Sequence, residues 1–133
     1  MFVDTSAIVS IVVDEEDAGE FAACLARTSD RTIGAVTQVE AAISVGRYHG
    51  GDYSFGASQV ADFVERAGIK VLDVPADLID EVLKAYQRYG KGTGHRARLN
   101  FGDCFSYAFA KRLKAPLLFK GEDFSKTDIE AAL

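Results

Sequence analysis

The chain of 133 residues has no tryptophan, one methionine, two prolines, two histidines and two cysteines. Each scarcity closes off a class of protein. Cys24 and Cys104 are far apart and flanked by apolar residues, so reduced, buried thiols are expected rather than a disulfide framework or a thiolate zinc site. His49 and His95 fit no zinc or triad spacing. No apolar stretch approaches the ~20 residues needed to cross a membrane. Met1-Phe2-Val3-Asp4 lacks the basic n-region of a signal peptide. These absences leave a cytoplasmic protein with no membrane contact as the expectation. The length is that of one domain, residues 1–133, with room for a real core.

Nor is there much acid where the bases are. The net charge is −5, yet from Val82 to Gly121 nine Lys and Arg residues accompany a single acid, Asp103. The other 19 acids and only six bases fill the rest of the chain. A basic stretch with one carboxylate at its centre suits a phosphate-bearing ligand better than the global charge does.

What is present is a strand–helix alternation. Phe2-Val3, Thr32–Ala35, Ile69–Val74 and Pro116–Phe119 read as short strands. Helices are predicted over Thr5–Val13, Asp14–Arg27, Thr37–Tyr48, a segment ending near Arg66, the stretch after Pro75, and Phe101–Leu113. Val36, Val39, Ile43 and Arg47 mark one side of the third helix. Leu78, Ile79, Val82, Leu83 and Tyr86 form the apolar face of the fifth. This order predicts an α/β fold with a short parallel sheet of about four to five strands flanked by helices. Gly90-Lys91-Gly92-Thr93-Gly94 follows no strand, so it reads as a mobile loop, not a phosphate-binding loop.

Four acids interrupt these apolar segments. Asp4 closes the first strand, Glu40 lies in the stripe of the third helix, Asp103 opens the last long helix, and Asp123 follows the last strand. Carboxylates beside a core are costly unless a cation compensates them. Oxygen donors without histidine or cysteine favour a hard ion, Mg²⁺ or its substitute Mn²⁺. Each acid also has a plain structural use: Asp4 as a helix cap, Asp103 as the third residue of a capping box led by Asn100, Asp123 as a turn residue with Glu122 as its rival. Open α/β sheets bind ligands beyond the carboxyl ends of their strands, where Asp4 and Asp123 fall.

Val3-Asp4-Thr5-Ser6-Ala7, the lone Glu40, Arg98-Leu99-Asn100-Phe101-Gly102-Asp103-Cys104 and Leu117–Phe124 together resemble the PIN-domain ribonucleases, and more narrowly the VapC-type toxins of bacterial toxin–antitoxin pairs. The resemblance runs over nearly the whole chain. It implies a PIN-like fold and a metal-dependent endoribonuclease toxin that hydrolyses RNA phosphodiester bonds and is neutralised by a cognate antitoxin. It implies a homodimer as well. Asp4, Glu40 and Asp103 match the family's first three acids, and Asp123 stands for the fourth, although many relatives carry that acid where this chain has Gly121. Asp4 and Asp103 are the expected metal ligands. Thr5 or Ser6 is expected to fix the first carboxylate or a metal-bound water, and Arg96, Arg98, Lys91 and Lys120 to hold the RNA backbone. Tyr48, Phe55, Val60 and Phe63 are candidates for an apolar groove that receives the antitoxin.

Two other classes fit the residues less well. A catalytically inactive PIN-like binding domain would not need its acids. A receiver-type phosphoacceptor module would need adjacent acids after the first strand, where this chain has only Asp4.

Overall fold

Phe2 and Val3 form β1, the strand that orders the rest of the molecule. In the computed structural model, which describes residues 1–133, it pairs in parallel with β2 (Thr32–Gly34) on one side and β4 (Leu117–Leu118) on the other. A further strand, β3 (Lys70–Leu72), extends the sheet beyond β2, giving the order β3-β2-β1-β4. All pairings are parallel, so each connection is a crossover and carries a helix. The helices are α1 (Thr5–Val12), α2 (Ala18–Leu25), α3 (Ala35–Tyr48), α4 (Tyr53–Arg66), α5 (Ile79–Tyr89) and α6 (Phe101–Leu113).

The strands are short, but their alternation divides the core. Phe2 and Leu117 enter an apolar cluster with Val82 and Tyr89 of α5 and Phe109 of α6. Val3, Ile33 and Leu118 enter a second cluster with Ile8, Val45 and Val60 from α1, α3 and α4. Neighbouring strand residues point to opposite faces, so the sheet carries one cluster on each side. No helix is long and apolar enough to cross a membrane.

Several boundaries and faces differ from expectation for physical reasons. The second helix begins at Ala18, not Asp14, because Asp14 takes a left-handed backbone (φ +56°) and residues 14–17 turn the chain. In α3 the buried positions are Thr37, Ala41, Val45 and Gly46, whereas Val39 is 58% exposed and Ile43 37%. Val39 and Ile43 therefore do not mark the core side. The helix approaches α4 so closely that a Cβ on Gly56 would strike the backbone of Ala42 and Gly46. Small residues make that contact, and hydrophobic pattern weighs them lightly. In α5 the expected face is split: Leu78, just before the helix, and Val82 are buried as expected, with Ala85 and Tyr89, while Ile79, Leu83 and Tyr86 face out. Val60 is fully buried, so it belongs to the core and not to a partner groove.

Candidate active site

The carboxyl ends of the strands deliver the acids to one edge of the sheet. Asp4 follows β1 directly, with its N–H donating to Leu118 O at 2.8 Å, and is itself buried. Its Oδ2 accepts from the Ser6 N–H at 2.9 Å and the Ser6 hydroxyl at 2.6 Å. It thus caps α1, as its position allowed. The Ser6 hydroxyl also accepts from the Lys120 N–H at 2.9 Å, fastening the loop after β4 to the first turn of α1. Glu40 stands on α3, whose start is fixed by the end of β2. Thr5 donates to its Oε2 at 3.2 Å.

Asp103 reaches the same place from α6. It completes a capping box: its Oδ2 accepts from the Asn100 N–H at 2.7 Å, and its N–H donates to Asn100 Oδ1 at 2.9 Å. The capping function and the placement of a carboxylate at the cleft are one arrangement, since the capped carboxylate lines the same cleft as Asp4 and Glu40. That open cleft, of ≈ 490 Å³, is also lined by Asn100, Arg47 and Lys120, among others. A second cleft, lined by Lys91, Arg98, Asn100, Asp103 and Asp123, shares Asn100 and Asp103 with the first. Asp123 therefore meets the cluster from the Asp103 side. Glu122 lines neither cleft and pairs with Lys126 at 3.3 Å.

None of Asp4, Glu40, Asp103 and Asp123 takes part in an ion pair of the chain. The electrostatic consequence is plain at Asp103. Burial, reinforced by the charges of Asp4, Glu40 and Asp123, pushes its carboxyl up to about 7, against the opposing Asn100 hydrogen bond. Burial also raises Glu40, with a further push from Asp4, while the Thr5 hydroxyl pulls the other way. No three His, Cys, Asp or Glu side chains close on one point as a ready-made ion cage. The donor chemistry nevertheless fits a hard divalent cation: oxygen ligands only, on the wall of a solvent-open cleft, with no ion-pair partner to compensate them.

The basic residues are sorted less simply than the sequence implied. Lys120 lines the main cleft, but its Nζ pairs with Glu15 at 2.7 Å and Asp17 at 2.8 Å. These two carboxylates are held below their usual range chiefly by Lys120. Arg112 is engaged by Glu81 and Asp77, and Arg88 and Lys111 by Asp128. Arg98 and Lys91 are exposed and unpaired at the second cleft, while Arg96, also exposed, lines neither cleft. Arg47, Ser44, Glu15 and Tyr48 line the main cleft as well, and the sequence reading assigned none of them to it. Ser44 lies four residues after Glu40 on α3, a helical spacing that could have revealed it, and Arg47, seven residues on and expected on Glu40's side of the helix, carried no assigned role. The Tyr48 hydroxyl donates to Glu15 at 2.6 Å, a contact with no sequence signature.

The chain is similar to known proteins over nearly its whole length. The PIN domain family model matches residues 1–130. A ribonuclease VapC of Mycolicibacterium smegmatis is 44% identical over 131 residues, which is 98% of each chain. Ribonuclease VapC30 of Mycobacterium tuberculosis is 42% identical over 97% of this chain and 95% of its own. Among solved structures, Mycobacterium tuberculosis VapC20, a Sarcin-Ricin loop cleaving toxin, superposes with a TM-score of 0.77 at 18% identity, covering 96% of this chain and 95% of that one. That likeness carries the fold.

Proposed function

The chain belongs to the PIN-domain family and is a ribonuclease of the VapC toxin type, and from this premise we propose that it hydrolyses RNA at the Asp4–Glu40–Asp103 cluster with Mg²⁺ or Mn²⁺ as cofactor. The observation that carries this reading is the set of uncompensated carboxylates on one open cleft. Asp4 and Asp103 are the principal ion ligands, Glu40 completes the set, and Asp123 supports it from the Asp103 side. When bound, a divalent ion supplies positive charge to the scissile phosphate and acidifies the attacking water.

The chain's own residues do the remaining work. Ser6 fixes Asp4 in one rotamer through two hydrogen bonds, and Thr5 steadies one oxygen of Glu40. The Asn100–Asp103 box locks the third carboxylate to the helix. Arg47 on one side and Arg98 with Lys91 on the other flank the acids, so an RNA strand gripped by these cations crosses the cluster. Lys120, held by Glu15 and Asp17, braces the cleft wall.

The family places a cognate antitoxin opposite this toxin, and a homodimer is part of the same proposal. Supporting the dimer is an outward apolar strip formed by Ile79, Leu83, Tyr86, Phe101 and Phe105 of α5 and α6. Light scattering of the wild type and Leu83→Glu checks it: a dimer converted to monomer is expected. The activity is tested by incubating purified protein with RNA in Mg²⁺, then with chelator. Co-expression with the neighbouring open reading frame, which should relieve growth inhibition, tests the toxin role.

A further inference from the structure

Gly102 violates a local preference of helices. It follows Phe101 in the first turn of α6, with no positive φ, so nothing in the backbone requires glycine there. Alanine would favour the helix. The reason lies across the cleft. A Cβ built on Gly102 would land on the Glu40 carboxylate, whose Cδ, Oε1 and Oε2 are the three nearest atoms. Other crowded glycines serve packing between elements: a Cβ on Gly34 would come within 2.8 Å of the Phe109 ring, and one on Gly46 within 2.9 Å of Tyr53. Only at Gly102 is the obstacle an acidic side chain.

We propose that Gly102 is a positioning residue of the acidic site: the missing side chain is the seat in which the Glu40 carboxylate rests. The inference depends on Glu40 being a working acid of that site. Thr5 holds Oε2 from the α1 side at 3.2 Å, and the Gly102 backbone bounds the carboxylate from the α6 side. Glu40 is thereby clamped between the first turns of two helices, beside Asp103, the next residue after its seat. A violation of local preference at a functional site is the expected signature of such a role.

The clamp couples side-chain length at 40 to side-chain size at 102. Gly102→Ala adds a methyl group where the carboxylate lies, and Glu40→Asp removes one methylene and draws the carboxylate back. The obstructing group is the end of a flexible side chain, so the fold tolerates the alanine while Glu40 is displaced.

The experiment compares wild type, Gly102→Ala, Glu40→Asp, Glu40→Asp/Gly102→Ala and Glu40→Gln as full chains. Three quantities are read: melting temperature without metal, its rise in millimolar Mn²⁺, and RNA cleavage. Gly102→Ala is expected to melt near wild type without metal, to lose most of the Mn²⁺-induced rise, and to cleave at least about tenfold more slowly. The double mutant is expected to regain part of both the rise and the cleavage relative to Gly102→Ala. Cleavage by Gly102→Ala within about threefold of wild type overturns the proposal. So does a double mutant no better than Gly102→Ala, which also decides the matter if that single variant folds poorly. Glu40→Gln reports separately on the underlying reading: full activity there, with Gly102 intact, removes Glu40 from the machinery and the seat with it.

Discussion

Thr5 donates its hydroxyl to Oε2 of Glu40 at 3.2 Å, with the Thr37 carbonyl as a longer second acceptor at 3.5 Å, and so joins the first turn of α1 to α3. The shorter bond is the only side-chain hydrogen bond that the Glu40 carboxylate receives. Because it stabilises the charged form, it opposes the burial that raises the Glu40 carboxyl. Thr5→Val should therefore raise Glu40 further and weaken metal binding. A loss of about tenfold in cleavage at neutral pH is expected, with Thr5→Ser close to wild type, since one hydrogen bond to a charged group is worth roughly 1.5–3 kcal/mol. Steady-state cleavage assays on the pair check this. Equal activity in the valine and serine variants would show that the hydroxyl does nothing.

Asp103 gives the metal-free protein a defined pH dependence. Its carboxyl rises from 3.8 to about 7 on folding, so between those values the folded state holds a proton that the unfolded chain has released. Stability from this group is complete below about pH 4 and declines as pH rises toward 7, by on the order of a few kcal/mol. Asp103→Asn should flatten this decline and should melt above the wild type at pH 8 in chelator, since the amide oxygen of the new side chain can still accept the Asn100 N–H. Thermal melts from pH 4 to 8 test it. A wild type that grows more stable across this window, with no change in the variant, contradicts the electrostatic picture of the site.

The cations separate by their partners. Arg98 and Arg47 line the clefts without ion pairs, whereas Lys120 is shared between Glu15 and Asp17. Arg47→Ala and Arg98→Ala are each expected to weaken RNA binding and reduce its salt slope by roughly 0.7 on single strands. Lys120→Ala is expected to lower the melting temperature while leaving the slope unchanged. Arg96→Ala should change neither. Binding titrations at several salt concentrations distinguish these outcomes, and a reduced slope in Lys120→Ala alone would reverse the assignment.

The legible parts of the molecule are those fixed by short-range chemistry. Asp4 at the end of an apolar pair and the Asn100/Asp103 spacing at the start of α6 can be read directly, and the span Phe101–Leu113 is found as expected. Glu40 stands out in the sequence through an apolar stripe that does not face the core: its neighbours Val39 and Ile43 face solvent, and α3 buries Thr37, Ala41 and Val45 instead. Close helix packing through glycine and alanine reverses the side that hydrophobic pattern selects. The pairing of Lys120 is invisible in sequence, because its partners lie more than a hundred residues away. Arg47 is within reach of helical spacing from Glu40, but as a lone base outside the basic stretch it carries no charge signal of its own.

RNA cleavage by wild type, Asp4→Asn and Asp103→Asn, measured in Mg²⁺ and again after chelation with circular dichroism on every sample, bears most directly on the proposed chemistry. Wild type should cleave in Mg²⁺ and stop in chelator, and both variants should keep the wild-type spectrum while losing cleavage by at least about a thousandfold. Wild-type cleavage that survives chelation, or full activity in folded Asp103→Asn, would contradict a metal-dependent reaction at these carboxylates.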